Sequence, residues 1–287
     1  MAEPGDRMSG RIMAAIGDRP AAEVTPAEVE RFLESIEAAG GSPRTVNKNR
    51  ALVHAVFEYG VKRTGLTTNP ARGTDRRREK QRDALHTYTV AEVEALAEAL
   101  AEGVHRAKDA RNDAERAEDA QDAELVRVAA YTGLRQGELR ALRWRDVEKG
   151  IITVSSAISA EQLTGTKGRQ VRHVPLVPQA ARALARLKQR GDFTAPGELV
   201  FCNWRGRPLD KSALVARFKR ARDAADLRPL RFHDLRHTYG SLLAQAGVDI
   251  LSIKNAMGHS DLQTTQRYLH ARQASEQVER FARAFED

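Results

Sequence analysis

Residues 132–139 read Thr132-Gly133-Leu134-Arg135-Gln136-Gly137-Glu138-Leu139 and follow an apolar segment that holds Leu125, Val128 and Ala129. Gly133 suits a left-handed helix end, and Gly137 lets another segment approach closely. Arg135 is thereby held at a tight turn between two buried helices. Taken alone, it would read as a surface charge beside a helix end.

Downstream of this turn lie the only clear strand signals. Ile151-Ile152-Thr153-Val154 and Val171-Arg172-His173-Val174-Pro175-Leu176 are β-branched runs separated by Thr164-Gly165-Thr166-Lys167-Gly168. They predict one hairpin or small antiparallel sheet with Lys167 at its tip. The rest reads as helix, with segments expected over 180–189, 212–225, 233–246, 250–257 and 275–285. Upstream, Thr25-Pro26-Ala27-Glu28 forms a capping box, and Val29, Phe32, Leu33 and Ile36 follow at helical spacing. Ser42-Pro43 opens a second helix with Val46, Val53, Val56 and Phe57 on one side, and Asn69-Pro70 stops helical structure. The expected class is mainly α with a small antiparallel β element in a second lobe.

The chain has 287 residues, with 47 Lys plus Arg against 39 Asp plus Glu and a net charge of +8. That balance suits a polyanionic partner. Six basic residues fall between Arg72 and Arg82 against Asp75 and Glu79, which predicts a solvated basic linker. A second charged block, 103–124, holds seven acids and four bases and is expected to be a solvated helical excursion without a chemical role. Cys202 is the single cysteine, so no internal disulfide forms and a reducing cytoplasmic setting is expected. No stretch reaches the ~18 consecutive apolar residues of a membrane span. Met1–Asp6 does not begin a basic-then-apolar leader, so none is expected.

Four features of the second lobe carry chemistry: Arg135 on its turn, Lys167, His233-Asp234-Leu235-Arg236-His237, and Met257-Gly258-His259-Ser260 with Tyr268 beyond it. His233 and Arg236 are three apart on a helix and share a face, a pairing that suits a phosphate-like anion. Taken singly, each has a plainer reading, such as a solubilising turn lysine or a packed tyrosine. Together they supply two guanidiniums, an ammonium, two imidazoles and a phenol, without an acidic cluster for divalent cations. That inventory fits phosphoryl transfer through a covalent intermediate with no metal and no cofactor.

The sequence resembles the tyrosine recombinases of the phage-integrase family. Thr132–Leu139 with Leu142-Arg143-Trp144 is similar to the family's first arginine box. His233-Asp234-Leu235-Arg236-His237-Thr238 is similar to its His-x-x-Arg box, and 251–268 to its last box. Lys167 before Arg172-His173-Val174-Pro175-Leu176 matches its hairpin lysine, and Ser42–Asn47 and Asn69-Pro70 extend the likeness to the first lobe. The resemblance implies a helical, SAM-like core-binding domain over 1–72, a basic linker over 73–86 and a catalytic domain over 87–287 with a tail helix. The segment before the first lobe is too short for the arm-binding domain that many integrases carry. The expectation is therefore either a simple two-lobe recombinase or a shortened or differently started integrase.

The resemblance also implies roles. Tyr268 is the nucleophile, forming a 3′-phosphotyrosyl link during site-specific recombination of bacterial or phage DNA. Arg135 and Arg236 bind the non-bridging oxygens, and Lys167 protonates the leaving 5′-oxygen. His233 and His259 assist, and Glu138 braces an arginine or His233. Double-stranded DNA would be clamped by Arg44, Lys48 and Arg50 from one lobe and by Lys211, Arg217, Lys219 and Arg220 from the other. Four copies would assemble on DNA through the tail stripe Val278, Phe281, Ala282 and Phe285, with a DNA-bending or excisionase protein as accessory. A catalytically inactive DNA-binding relative, a topoisomerase of the same chemistry and a metal nuclease are the competing readings.

Overall fold

The computed structural model describes residues 10–79, 85–106, 111–160, 162–165 and 171–269. The chain divides into two compact units, residues 1–83 and 84–287.

The first unit is helical. A π-helical turn at Met13–Gly17 precedes α1 (Pro26–Ala38) and α2 (Pro43–Arg63), and a 3-10 turn follows at Pro70–Gly73. The Thr25–Glu28 capping box forms as expected, and Ser42 caps α2. Val29, Phe32, Leu33 and Ile36 of α1 bury against Val46, Val53 and Phe57 of α2, with Ile16, Val24 and Ala71 closing the core. Val56 instead stays 59 % exposed, because a helix stripe of this width reaches only its neighbours.

The basic stretch expected as a linker from 73 is folded onto this unit through residue 79. Arg77 pairs with Glu37 at 2.8 Å and with Glu30 at 2.7 Å, and its backbone N–H donates to Asn47 Oδ1 at 2.8 Å. Leu85 and Tyr88 belong to the second unit; the Tyr88 N–H donates to Thr238 Oγ1 at 3.0 Å. Residues 80–84 lie outside the described residues.

In the second unit, α3 (Val90–Glu102) packs on α4 (Asp113–Thr132), and both open with complete capping boxes. The short α5 (Gln136–Ala141) leads into a three-stranded antiparallel sheet of β1 (Val147–Glu148), β2 (Ile151–Val154) and β5 (Arg172–Pro175), ordered β1-β2-β5. Ile152 faces Val174 and Val154 faces Arg172 across the register. The expected pairing of these runs is therefore present, but not as one hairpin. The intervening chain makes a second hairpin, β3 (Ser156–Ser159) with β4 (Gln162–Gly165). Helices α6 (Pro178–Lys188), α7 (Lys211–Ala224), α8 (Asp234–Gln245), α9 (Ile250–Met257) and α10 (Leu262–Gln266) complete the unit. Among the described residues no helix is long and apolar enough to cross a membrane.

The acidic block is not a solvated excursion. The later part of α4 runs through the core, and Asp119, Asp122 and Glu124 are 0 %, 1 % and 8 % exposed. Buried carboxylates need partners, and arginines supply them. Asp119 receives Arg106 at 2.7 Å and Arg111 at 2.9 Å, Asp122 receives Arg217, and Glu124 receives Arg186 at 2.6 Å.

Candidate active site

Three elements of the second unit converge on the end of α9. This helix stops at Gly258, which adopts φ 62° as its left-handed cap. A helix end presents carbonyls without intrahelical partners and a partial negative charge. Three consecutive carbonyls here each accept from a different arginine. Arg172 of β5 donates to Ala256 O at 3.1 Å, Arg236 of α8 to Met257 O, and Arg135 to Gly258 O at 2.9 Å. Arg236 donates its other terminal nitrogen to Gly133 O, the cap of α4, so two helix ends hold one guanidinium.

Gly133 is required twice over at that turn. Its φ is 63°, and an added Cβ would stand 2.4 Å from the Tyr239 ring. Gly137 brings α5 against β3 as expected, where a Cβ would meet Ile158 O at 2.6 Å.

Glu138, 4 % exposed, binds two of the arginines. It accepts from Arg135 Nη1 at 3.0 Å and from the Arg135 backbone N–H at 2.7 Å, while Arg172 forks onto both oxygens at 2.8 and 2.6 Å. Of the partners expected for it, the arginine is found. Burial alone would raise this carboxyl, but the hydrogen bonds and charge of Arg172, then Arg135, hold it below its usual range. Arg236 is 3 % exposed; burial and the neighbouring Arg135 bring it down to about 9, so it stays cationic at neutral pH.

Three imidazoles and the phenol complete the cluster. Tyr268, just past α10, is 1 % exposed, and its hydroxyl lies 2.9 Å from His237 Nδ1. Burial raises this phenol to about 12 against the pull of Arg236. His259 places Nδ1 2.9 Å from Thr265 Oγ1, and its ring lies nearly parallel to that of Tyr268 at 6.2 Å. Burial first, then Arg236 and Arg135, pull His259 down to about 3. His237 falls to about 4 through burial and then His233. His233 stands at the start of α8 and is lowered in the same way, by desolvation and then Arg236. His233 and His237 are one helical turn apart, with rings edge to face at 5.2 Å.

Arg135, Glu138, His233, Arg236, His259 and Tyr268 are thus brought together within the described residues. Lys167 lies outside them, as does the tail stripe Val278, Phe281, Ala282 and Phe285. Sequence reasoning missed Arg172 and His237. Arg172 alternates with buried Val174 on β5 and so shares its inward face, a signal readable from the period of two. His237 sits four residues after His233, the spacing that places side chains on one helix face.

The DNA-contact expectations divide. Arg44, Lys48, Lys211, Lys219 and Arg220 are exposed. Arg50 turns inward instead, donating to Thr74 O at 2.9 Å and Ala71 O at 3.2 Å. Arg217, 8 % exposed, is taken by Asp122 and by Glu118 at 3.1 Å. Both arginines fasten the fold rather than facing solvent.

Comparison with known proteins assigns this mainly helical chain to a family. The chain belongs to the phage integrase family: the phage integrase family model matches residues 89–275 and the phage integrase central domain model residues 5–77. It is 25 % identical over 270 residues to the tyrosine recombinase XerC-like protein of Caldanaerobacter subterraneus subsp. tengcongensis, over 83 % of this chain and 65 % of that one. It is 26 % identical over 260 residues to tyrosine recombinase XerC of Xanthomonas campestris pv. campestris, over 90 % of this chain and 73 % of that one. The chain thus spans as little as 65 % of the length of the curated relatives it matches. The fold is similar to that of the Tn1549 transposon integrase solved in complex with transposon right end DNA. The TM-score is 0.72 at 18 % identity, covering 98 % of this chain and 95 % of that one.

Proposed function

We propose that this protein carries out site-specific DNA recombination by transesterification through a 3′-phosphotyrosyl intermediate. The observation that carries the reading is the gathering of Arg135, Arg172 and Arg236 on one turn beside Tyr268. In the reaction, Tyr268 Oη attacks a scissile phosphodiester, and the P–O bond to the 5′-oxygen breaks. Arg135 and Arg236 neutralise the non-bridging oxygens, doing the work a divalent cation does elsewhere. Lys167 gives its proton to the leaving 5′-oxygen. His233, neutral at physiological pH, takes up the proton that the Tyr268 hydroxyl loses on attack, and neutral His259 donates an N–H to the phosphate. A 5′-hydroxyl from a partner duplex then reverses the step and exchanges strands, with the phosphotyrosine conserving the bond energy.

The first unit is proposed as the core-binding, DNA-binding domain and the second as the catalytic domain. Exposed Arg44, Lys48, Lys211, Lys219 and Arg220 contact phosphates, each adding about one unit to the salt dependence of binding. Four copies assemble on two duplexes through the C-terminal tail, in a bacterial cytoplasm and on bacterial or phage DNA, aided by a DNA-bending accessory protein.

The test is a nicked target duplex that traps the covalent step. An SDS-resistant protein–DNA adduct should form in EDTA and vanish in Tyr268→Phe. Lys167→Ala should slow it, and a substrate whose leaving atom is sulfur should restore the rate, because a thiolate departs without a proton. Absence of any adduct, or its survival in Tyr268→Phe, overturns the reading.

A further inference from the structure

We propose that His237 is a positioning residue for Tyr268, holding its hydroxyl in a docked pose from which it must depart before it can attack. This inference rests on Tyr268 being the nucleophile.

The docked pose is built by the fold. The Tyr268 ring packs with Tyr239, Ala244, Ile253 and Met257 in a small cluster of its own. It seats against Gly240 of α8, where an added Cβ would stand 2.8 Å from Cε2 and Cζ. The hydroxyl finds its partner in His237 Nδ1 at 2.9 Å, and His237 is neutral at physiological pH, so in the tautomer protonated at Nε2 its Nδ1 accepts the hydrogen bond of the phenol O–H. The terminal nitrogens of Arg236 donate to backbone carbonyls instead.

Attack requires the oxygen to come within ~3–3.5 Å of phosphorus. A side chain that is 1 % exposed offers no such approach. Docking therefore competes with catalysis, and the His237 bond is its polar component. The same His237 ring meets the His233 ring edge to face at 5.2 Å, so a phosphate taken up at His233 acts directly on the group that holds the phenol.

Leaving a buried hydroxyl without its acceptor shifts a docked-to-undocked equilibrium by roughly 5- to 100-fold. Tetranitromethane on the DNA-free protein, with each tyrosine read by peptide mass spectrometry, measures this. Tyr59, 65 % exposed, is the reference, and buried Tyr88 and Tyr131 report any general unfolding. Tyr268 should be protected in the natural protein. It should gain roughly 5- to 100-fold in nitration in His237→Leu, while Tyr88 and Tyr131 stay protected. His237→Asn, whose amide reaches the Nδ1 position, should keep Tyr268 protected, and His237→Gln, which reaches the Nε2 position, should not. Nitration of Tyr268 at the level of Tyr59 in the natural protein overturns the proposal. So does equal protection in the Leu, Gln and Asn variants.

Adduct formation on the nicked duplex supplies the second arm. Faster capture in His237→Leu supports docking. Capture slowed ~100-fold, with Tyr268 still protected, overturns it and makes His237 the acceptor of the phenol proton in the chemical step. If no adduct forms with any variant while the nitration pattern holds, the reading of function fails and the docking contact stands.

Discussion

Arg172 grips both carboxylate oxygens of Glu138, at 2.8 and 2.6 Å, from 34 residues away in the chain. Both side chains are almost fully buried, so each is the other's replacement for water. Removing one partner leaves an uncompensated charge. Arg172→Leu should destabilise the second unit by about 3–5 kcal/mol in urea unfolding. Arg172→Leu with Glu138→Leu should cost less than the sum of the singles, a coupling read in a double-mutant cycle.

Arg236 is a bridge as well as a charge. Lysine keeps the charge but lacks the planar fork that spans Gly133 O and Met257 O. Arg236→Lys should therefore lower the single-turnover rate of adduct formation by ~10²–10³, the loss expected of a preorganised donor. Binding of the duplex, measured by titration, should change much less.

Gly133 and Gly150 separate backbone strain from crowding. Both have left-handed φ, 63° and 76°, but a Cβ at Gly150 meets nothing within 4 Å. Gly150→Ala should cost about 1–2 kcal/mol, the intrinsic penalty of that conformation. Gly133→Ala should cost a further 1–3 kcal/mol, roughly, because the new methyl strikes the Tyr239 ring. Paired chemical unfolding curves give the difference directly.

Acid should loosen the second unit before it titrates ordinary carboxylates. His237 and His259 fall from 6.5 to about 4 and about 3 in the folded chain. Between 6.5 and those values the unfolded chain binds more protons, so stability rises with pH across that window and is lost as pH falls through it. Melting temperatures at pH 7 and pH 5 should differ, and His259→Gln should reduce the difference. A slope of opposite sign would show that these rings are charged when folded.

The caps and boxes were legible because they are local. Thr25 with Glu28, Ser42 before Pro43, and Gly133 beside Arg135 each announce their geometry within a few residues. The last box was legible as a pattern, and its members meet as the resemblance implied. What was not legible depends on distant partners. Asp122 and Arg217 stand 95 residues apart, so neither the burial of the acid nor the loss of the arginine to solvent can be read from either neighbourhood. The same holds for Arg50, whose acceptor Thr74 lies in the stretch that reads as a tether. The hairpin of β3 and β4 escaped notice because its strands carry few β-branched residues, with Ile158 the only inward-facing apolar side chain of β3 below 10 % exposure.

Three arginines drawn from a loop, a strand and a helix all register against the peptide units of residues 256–258. Their mutual spacing is therefore copied from the repeat of a polypeptide backbone, not negotiated pair by pair among flexible side chains. A shift of α9 carries the whole array with it as a rigid template, preserving its match to a phosphate while changing its distance from whatever approaches it.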